Sequence, residues 1–222
     1  MNESHIKLSR NPTKEYLFLN GPEVLWIEGK NDNNALVNPA GFPYMNLNLD
    51  PMGSLMRENQ HHTVKEVGYD YFADLIRNAI KIAGDDFDSY FKCQGEIDWD
   101  TYSCYLITAE YPDFKYESYT VKKGETLITI ARAKHLSEYM LLELNEKKVS
   151  HYGDVKAGQT IQIPNVYGSK MILYIDKELL VPRVIKVYDS KGLFESYEYH
   201  DLQVNPKIAE EEFTKYYKGY GF

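Results

Sequence analysis

The chain has 222 residues, of which 43% are hydrophobic, and its formal net charge at pH 7 is -8. This length allows one substantial core and a small additional unit. The negative charge argues against nucleic acid or an anionic membrane as the main partner. Because no run of about 20 apolar residues occurs, no transmembrane span is predicted.

The N-terminal part predicts an antiparallel sheet. Apolar runs at residues 16–19 and 24–27 flank an Asn-Gly-Pro turn, which is typical of a β-hairpin. Another strand is expected to begin after the polar turn at residues 29–34, and Met45, Leu47 and Leu49 alternate with polar residues. This alternation predicts another strand with one buried face.

Two adjacent histidines, His61 and His62, precede Glu66 by a few residues. A metal site would need both imidazoles to converge with the carboxylate. Side chains of adjacent residues point apart on a helix or a strand. We therefore prefer a loop or structural pair, and predict no metal site.

A long amphipathic helix is predicted at residues 70–84. Its apolar residues recur with helical spacing. They are Phe72, Leu75, Ile76, Ala79, Ile80 and Ala83. Such a stripe is expected to cover an apolar surface.

The two cysteines, Cys93 and Cys104, lie in predicted strands at residues 87–94 and 102–111. A hairpin centred between Asp98 and Trp99 would place them opposite each other. A disulfide would then be geometrically feasible and would suit an oxidising compartment. The alternative is two small, buried, reduced side chains.

Residues 119–164 predict a β-α-α-β unit. Leu127, Ile130 and Ala131 have helical spacing, and Ser137 is a good N-cap for a second helix. Asn145 suits a left-handed position after that helix. An alternating strand then ends at Pro164.

This stretch resembles the LysM domain. The motif positions are Tyr119, Val121, Gly124-Glu125-Thr126-Leu127, Ile130-Ala131, Asn145, Gly158-Gln159 and Ile163-Pro164. It differs from the LysM pattern at Glu125, which replaces the usual Asp, and in the loop at residues 147–152. The resemblance implies binding of N-acetylglucosamine-containing glycans, chiefly peptidoglycan or chitin.

In LysM domains the glycan groove lies between the loop entering the first helix and the loop leaving the second. The resemblance therefore predicts two sets of binding residues in this chain. Gly124, Glu125, Thr126 and Leu127 follow from the motif, and Val149, Ser150 and His151 from position in the second loop. Backbone groups would bond the N-acetyl group, Leu127 or its neighbours would contact its methyl, and Glu125 would accept bonds from sugar hydroxyls.

Three more strands are predicted after this unit, at residues 171–175, 184–188 and 193–201. Their connections are too short for parallel crossovers, so an antiparallel meander is expected. An acidic segment at residues 208–213 predicts a helical turn.

The C-terminal part resembles lipoprotein carriers of the LolA/LolB type. The matching positions are Tyr174-Ile175-Asp176, Leu180-Val181-Pro182-Arg183, Val187-Tyr188-Asp189, Gly192-Leu193, Tyr197, Tyr199, Asp201-Leu202, Asn205 and Phe213. The segment at residues 23–30 is also similar to a bacterial family of uncharacterised function. The resemblance implies an α+β domain in which an incompletely closed antiparallel β-barrel, with a covering helix, encloses a cavity for acyl chains.

Together these features predict a discontinuous LolA-like domain, residues 1–118 and 165–222, with the LysM unit inserted at residues 119–164. The strands on both sides of the insertion would then belong to one sheet. Short connections between neighbouring strands tolerate an inserted unit whose own ends are close.

No catalytic motif occurs: there is no Gly-x-Ser-x-Gly, His-Glu-x-x-His or Walker loop, and no paired-cysteine metal spacing. We therefore predict a non-enzymatic envelope protein, without a cofactor, that binds peptidoglycan through LysM and a lipid or lipoprotein in the sheet cavity. The alternatives are a scaffold protein whose LysM fold contacts other proteins, and a peptidoglycan-processing enzyme.

The expected location is the periplasm or cell envelope, with the signal peptide removed. Residues 1–10 lack the apolar segment of a secretory signal. A cytoplasmic protein remains the alternative on sequence alone.

Overall fold

The computed structural model describes residues 3–222, which divide into two compact units. The first unit comprises residues 3–71 and 205–222, and the second comprises residues 72–204. The predicted α+β class is confirmed, and every strand pairing among the described residues is antiparallel.

The first unit contains one sheet of five strands in the order β1-β2-β3-β4-β5. The strands are β1 (His5–Ser9), β2 (Lys14–Phe18), β3 (Glu23–Ile27), β4 (Ala35–Asn38) and β5 (Leu47–Leu49). The short helix α1 (Ser54–Arg57) follows, and 3₁₀ turns form at Asn31–Asn33, Val64–Glu66 and Glu210–Phe213. The predicted hairpin is present as β2 and β3, with Phe18 opposite Glu23.

Apolar side chains lie on both faces of this sheet, because successive residues of a strand point to opposite faces. One face carries a buried cluster made of Leu17, Val24, Trp26, Ala35 and Val37. The other face carries Tyr16 and Leu25, which pack with Phe213 from the C-terminal segment. The sheet therefore needs a cover on each face.

The C-terminal segment covers the second of these faces. The ring of Tyr220 stacks on Tyr16 with a centroid distance of 3.7 Å. Lys7 forms a 2.7 Å ion pair with Glu212. The backbone N–H of Gly221 donates to the Glu23 carboxylate at 2.8 Å. These contacts hold the end of the described chain against its beginning.

Two features of this unit differ from the sequence prediction. β1 was not predicted, and the strand expected after residue 34 is present as two strands, β4 and β5, of which β5 begins only at Leu47. The Met45 side chain is 61% exposed, so its expected place on a buried face is wrong. Residues 39–46 instead form a loop that leaves the sheet.

The second unit contains a second five-stranded sheet, in the order β12-β11-β10-β7-β6, and a two-stranded ribbon. The strands are β6 (Phe91–Trp99), β7 (Tyr102–Glu110), β8 (Tyr116–Thr120), β9 (Thr160–Pro164), β10 (Lys170–Asp176), β11 (Pro182–Tyr188) and β12 (Leu193–Glu198). The helices are α2 (Asp70–Ala83), α3 (Phe87–Tyr90), α4 (Leu127–Lys134) and α5 (Glu138–Leu144), with a 3₁₀ turn at Gly84–Asp86. α2 begins two residues before this unit.

The strands that precede and follow residues 119–164 are neighbours. β7 pairs with β10 from Glu110 opposite Lys170 to Cys104 opposite Asp176. The predicted meander is present as β10, β11 and β12. β6 and β7, which precede residues 119–164, therefore share a sheet with β10, β11 and β12, which follow them, as expected. The earlier strands β1 to β5 form a separate sheet.

The predicted helix at residues 70–84 is α2, and within the second unit its apolar stripe covers the sheet. Phe72 contacts Tyr197 edge to face at a centroid distance of 5.2 Å. A cavity of about 30 Å³ lies between Leu75, Ala79 and the side chains of the sheet. A cavity of this size holds about one water molecule. In this conformation the space beneath α2 is too small for an acyl chain.

The cysteine hairpin turns two residues later than predicted. Trp99 pairs with Tyr102, which places Cys93 opposite Ile107 and Cys104 opposite Ile97. Three residues separate Ile107 from Cys104 along β7, or about 10 Å, which exceeds the ~7 Å Cα limit for a disulfide. Both cysteines are free, Cys93 exposed and Cys104 buried. The predicted alignment of the two cysteines is therefore wrong, and the alternative of two buried, reduced side chains holds only for Cys104. The strand that was predicted to begin at Phe87 begins at Phe91, because residues 87–90 form α3 instead.

Candidate functional site

The β-α-α-β stretch of the second unit has a hydrophobic core of its own. Its ten buried residues are Val121, Leu127, Ile130, Ala131, Leu136, Leu141, Val149, Val155, Ile161 and Ile163. The outer strands β8 and β9 pair along their whole length, from Tyr116 opposite Pro164 to Thr120 opposite Thr160. This pairing brings the two ends of the stretch together.

The loop that enters α4 is a tight turn around Gly124. This glycine has a φ of 84°, a left-handed conformation that glycine adopts without strain. A β-carbon there would meet no atom within 4 Å, so the backbone conformation and not lack of space favours glycine. Gly124 itself is exposed, whereas the N–H that follows it, that of Glu125, donates to the Lys122 carbonyl at 3.2 Å.

Glu125 holds this turn in shape. Its carboxylate accepts a 2.7 Å hydrogen bond from the Lys122 N–H and 2.9 Å and 3.0 Å bonds from the Tyr119 hydroxyl. The Lys122 N–H, followed by the Tyr119 hydroxyl, lowers the pKa of Glu125 below its usual value. Glu125 is therefore ionised at neutral pH, and part of its hydrogen-bonding capacity serves the fold.

Thr126 begins α4 as its N-cap. Its hydroxyl accepts the Thr129 N–H at 3.2 Å, and the Thr129 hydroxyl accepts the Thr126 N–H at 2.8 Å. This is a capping box in which Thr129 takes the position usually held by Glu or Gln. The side chain of Thr126 is thus engaged in helix capping.

Leu127 connects the two loops of the candidate site. Its side chain is fully buried, and its N–H donates to the Tyr152 carbonyl at 2.9 Å. Tyr152 lies in the loop that follows α5, so this bond holds the two loops side by side. Sequence reasoning missed Tyr152, because a backbone contact between loops leaves no signal in residue spacing.

The loop after α5 has one buried residue and two exposed ones. Val149 is 2% exposed and belongs to the core of the stretch. Ser150 and His151 are exposed, and the His151 N–H donates to Asp154 at 2.9 Å. Of the seven predicted site residues, Gly124, Ser150 and His151 therefore face solvent, Glu125 and Thr126 are half-buried, and Leu127 and Val149 are buried.

Asn145 has a different role from the predicted one. Its φ of -115° and ψ of 11° are not left-handed. The buried side-chain amide donates to the carbonyls of Leu141 and Gln162, and its oxygen accepts the Gln162 N–H, each at 2.8 Å. Asn145 therefore links the end of α5 to β9. A left-handed residue does end the other helix of this unit: His135, after α4, has a φ of 54°.

The side of the stretch that includes α5 contacts the hairpin of β11 and β12. The rings of Tyr139 and Phe194 lie 6.4 Å apart, and Lys191 forms a 3.0 Å ion pair with Glu143. The Ser190 hydroxyl also donates to the Tyr116 hydroxyl at 3.0 Å. These contacts involve neither of the two candidate loops.

The histidine pair belongs to the first unit. His62 Nδ1 is 3.7 Å from Glu66, whose carboxylate also caps the Val64–Glu66 turn by accepting the Thr63 N–H. Within residues 3–222, no group of three or more His, Cys, Asp or Glu side chains is arranged to hold a metal ion.

Residues 2–129 match a family described as a protein of unknown function, DUF1571. This match covers more than half of the 222 residues. The chain belongs to the DUF1571 family.

A second match, to the LysM domain, covers residues 119–164 and confirms the resemblance found in the sequence. The DUF1571 match ends inside α4 and so overlaps the start of the LysM domain. The C-terminal strands of this DUF1571 protein lie outside both matches. No curated protein matches the chain.

Two solved structures are similar. A DUF1329 family protein from Desulfovibrio piger has 12% identity and a TM-score of 0.29, with 86% of this chain and 59% of that chain covered. A domain named as an outer membrane lipoprotein-sorting protein, from Vibrio parahaemolyticus, has 10% identity and a TM-score of 0.29, with 90% and 68% covered. The DUF1571 chain thus spans little more than half of the first structure, and neither TM-score establishes a shared fold.

None of the helices formed by residues 3–222 combines the length and the apolar character required to cross a bilayer.

Proposed function

We propose that residues 119–164 bind an N-acetylglucosamine-containing glycan, with peptidoglycan as the natural ligand. The protein would then be a non-enzymatic component of the bacterial cell envelope. The observation that carries the proposal is the LysM match, over a β-α-α-β unit whose two candidate loops lie side by side. LysM domains bind such glycans between these loops.

The exposed residues of the two loops would make the direct contacts. The peptide groups at Gly124 would bond the N-acetyl group, and Ser150 and His151 would contact the sugar from the opposite loop. Glu125 has acceptor capacity left for a sugar hydroxyl, because a carboxylate offers about four acceptor positions. Leu127 and Val149, being buried, would hold the loops in place, and Thr126 would cap α4.

The way the LysM unit packs favours glycan binding over a scaffold role. A scaffold element would be expected to have its groove covered by the domain that carries it. Here the contacts with β11 and β12 come from Tyr116, Tyr139 and Glu143, whereas Gly124, Ser150 and His151 are exposed. This exposure supports a binding surface that a polymer could reach.

A pull-down on purified peptidoglycan tests this function. The intact chain should sediment with the polymer, and Ser150→Trp should lower its affinity by about 10-fold or more, because the indole would fill the groove. Ala133→Trp is the matched control, since Ala133 is equally exposed but lies on the outer surface of α4. Isothermal titration with chitin oligosaccharides would show whether N-acetylglucosamine alone suffices.

Two results would contradict the proposal. One is absence of sedimentation by the intact, folded chain, which would favour the scaffold alternative. The other is equal binding by Ser150→Trp and Ala133→Trp, which would place the glycan elsewhere. Cleavage of peptidoglycan in a zymogram would instead support an enzyme.

We further propose that residues 119–164 are an insertion in a discontinuous domain formed by residues 1–118 and 165–222. Support comes from the separate core of the LysM unit and from the direct pairing of β7 with β10. An incompletely closed, LolA-like barrel remains part of this proposal. Limited proteolysis tests it: cleavage near residues 112–115 and 165–168 should release a fragment that still binds glycan.

A cleft in the first unit favours a second candidate function, binding of an acyl chain. It has a volume of about 440 Å³, and its apolar wall includes Leu25, Leu36 and Phe213. Lys30 and Lys215 at its edge would suit a carboxylate or phosphate group. Native mass spectrometry should detect a co-purifying lipid that Leu36→Asp removes; a lipid-free chain that also fails to bind added fatty acid would refute it.

A further inference from the structure

The two ends of the first sheet differ in charge. Residues 19–22 and 39–46 connect strands at one end, and neither connection contains a charged residue. At the opposite end, residues 10–13 and 28–34 contain Arg10, Glu28, Lys30 and Asp32. In a five-stranded meander, alternate connections fall at the same end, so the strand order alone produces this separation.

The two uncharged connections also expose four large apolar side chains, which we call the apolar tip. Leu19 is 40% exposed, Phe42 86%, Tyr44 85% and Met45 61%. The two connections lie against each other, because a β-carbon at Gly21 would be 3.7 Å from the Cβ of Ala40. The apolar tip is thus one continuous feature and not two separate loops.

Hydrogen bonds within the longer connection hold its shape. The Ala40 N–H donates to Asn38 Oδ1 at 3.0 Å, and the Tyr44 N–H donates to the Gly41 carbonyl at 2.6 Å. The rings of Phe42 and Tyr44 meet edge to face, with centroids 6.4 Å apart. The apolar side chains are therefore presented to solvent by an ordered turn, which reduces the conformational entropy lost on binding.

We propose that the apolar tip inserts into the interfacial layer of a phospholipid bilayer with electrically neutral headgroups. Aromatic rings favour this layer, because it accepts both their apolar bodies and a polar group such as the Tyr44 hydroxyl. An uncharged loop enters it without desolvating an ion. The charged end of the sheet would remain in water.

The small size of the apolar tip favours a lipid surface over a protein partner. Its four side chains expose roughly 500 Å², whereas each partner in a stable protein complex contributes about 800 Å². A bilayer needs no complementary shape and can accept a small protrusion. The nearest buried acid, Glu23, is bonded to the Tyr16 hydroxyl and the Gly221 N–H, so it remains within the fold.

The net charge of the whole chain favours a bilayer with neutral headgroups over an anionic one. The net charge of -8 would oppose adsorption to an anionic bilayer. This inference is independent of glycan binding, because it uses only residues of the first unit. It also differs from binding of an acyl chain in the cleft, which is lined by other residues.

Flotation with phosphatidylcholine vesicles tests the inference on the full chain. The wild-type protein should float with the vesicles, and the double variant Phe42→Ser, Tyr44→Ser should reduce the bound fraction about 10-fold. Leu55→Ser is the matched control, because Leu55 is 62% exposed in the same unit but lies outside the apolar tip. The control should bind as the wild type does.

Depth of insertion provides a second readout. Tyr44→Trp should gain an emission component that shifts to shorter wavelength with vesicles and is quenched by brominated acyl chains. The proposal is overturned if the wild type stays in solution, if Phe42→Ser with Tyr44→Ser floats as well as Leu55→Ser, or if the new tryptophan is not quenched. If the chain bound a second protein through the apolar tip but did not float with vesicles, the tip would be a protein interface instead.

Discussion

The LysM unit and the first unit reach a stable fold in different ways. In the LysM unit, turns, caps and helices follow one another within 46 matched residues, and each is held by near neighbours in the sequence. In the first unit, residues from the two ends of the chain meet: Lys7 contacts Glu212, and Glu23 bonds Gly221. The first unit also buries carboxyl groups inside its sheet, namely Glu15 and Glu23.

This difference shows what kind of interaction each region depends on. Local capping and a compact apolar core make the LysM unit insensitive to distant residues. The first unit depends on a segment almost 200 residues away in sequence, so loss of one long-range contact should affect its whole sheet.

Phe213→Ala should have the largest effect. Phe213 is 3% exposed and packs on Tyr16 and Leu25. Loss of a buried phenyl ring costs about 3–5 kcal/mol. Hydrogen exchange should accelerate in β2 and β3 but stay unchanged in β8 and β9.

The control for this substitution is Tyr216→Ala, in the same segment, because Tyr216 is 83% exposed. It should leave exchange in β2 and β3 unchanged. Equal acceleration in both regions of the Phe213→Ala variant would show that the LysM unit is not independent of the first unit.

Glu15 should make the stability of the first unit depend on pH. Burial raises the pKa of Glu15 from 4.5 to about 8, although Arg10 at 3.5 Å opposes this shift. Because the folded pKa is the higher one, the contribution of this group is fully present below pH 4.5 and is lost as pH rises to 8. The loss can reach a few kcal/mol, at about 1.4 kcal/mol per pKa unit.

Urea unfolding of Glu15→Gln from pH 4.5 to 9 measures this contribution. The variant should lose less stability across that range than the wild type. Glu58→Gln, at an exposed position, should follow the wild type. If the wild type and Glu15→Gln have parallel profiles, the buried carboxyl does not govern the pH dependence.

Asn145→Ala should destabilise the LysM unit by about 2 kcal/mol. The substitution removes three hydrogen bonds that the buried Asn145 amide makes to Leu141 and Gln162, and such a bond contributes about 0.5–1.5 kcal/mol. Exchange should accelerate in α5 and β9 while β1 to β3 remain protected. Glu146→Ala, the exposed neighbour, is the control, and a change in β1 to β3 would contradict the comparison.

Much of the architecture follows from local sequence signals. Apolar periodicity predicted α2, the two LysM helices and the C-terminal meander, and Ser137 was identified as an N-cap because its hydroxyl accepts a backbone N–H. Turn residues indicated the hairpin of β2 and β3. These signals involve residues that are close together in the sequence, so they can be recognised without the tertiary structure.

Several features could not be predicted because they depend on distant partners. β1 alternates polar and apolar residues (HIKLS), but it is only five residues long, and its place in the sheet is defined by pairing with β2. The hairpin of β6 and β7 turns two residues later than the spacing suggested, which moved the cysteines out of alignment, and a bulge between Cys93 and Gly95 changes the register again. Asn145 appeared to be a simple helix terminator because its hydrogen bonds to Gln162 lie 17 residues away.

For the candidate site, the sequence determined which loops take part, since the LysM motif specifies Gly124 to Leu127 through turn and capping chemistry. Only the tertiary structure decided which of those residues face solvent: Leu127 and Val149 turn inward because the core needs their side chains, and Ser150 and His151 remain outside. The division of the strands into two sheets was likewise decided by tertiary pairing. Patterning specifies which face of a strand is buried, but not which distant strand will bury it.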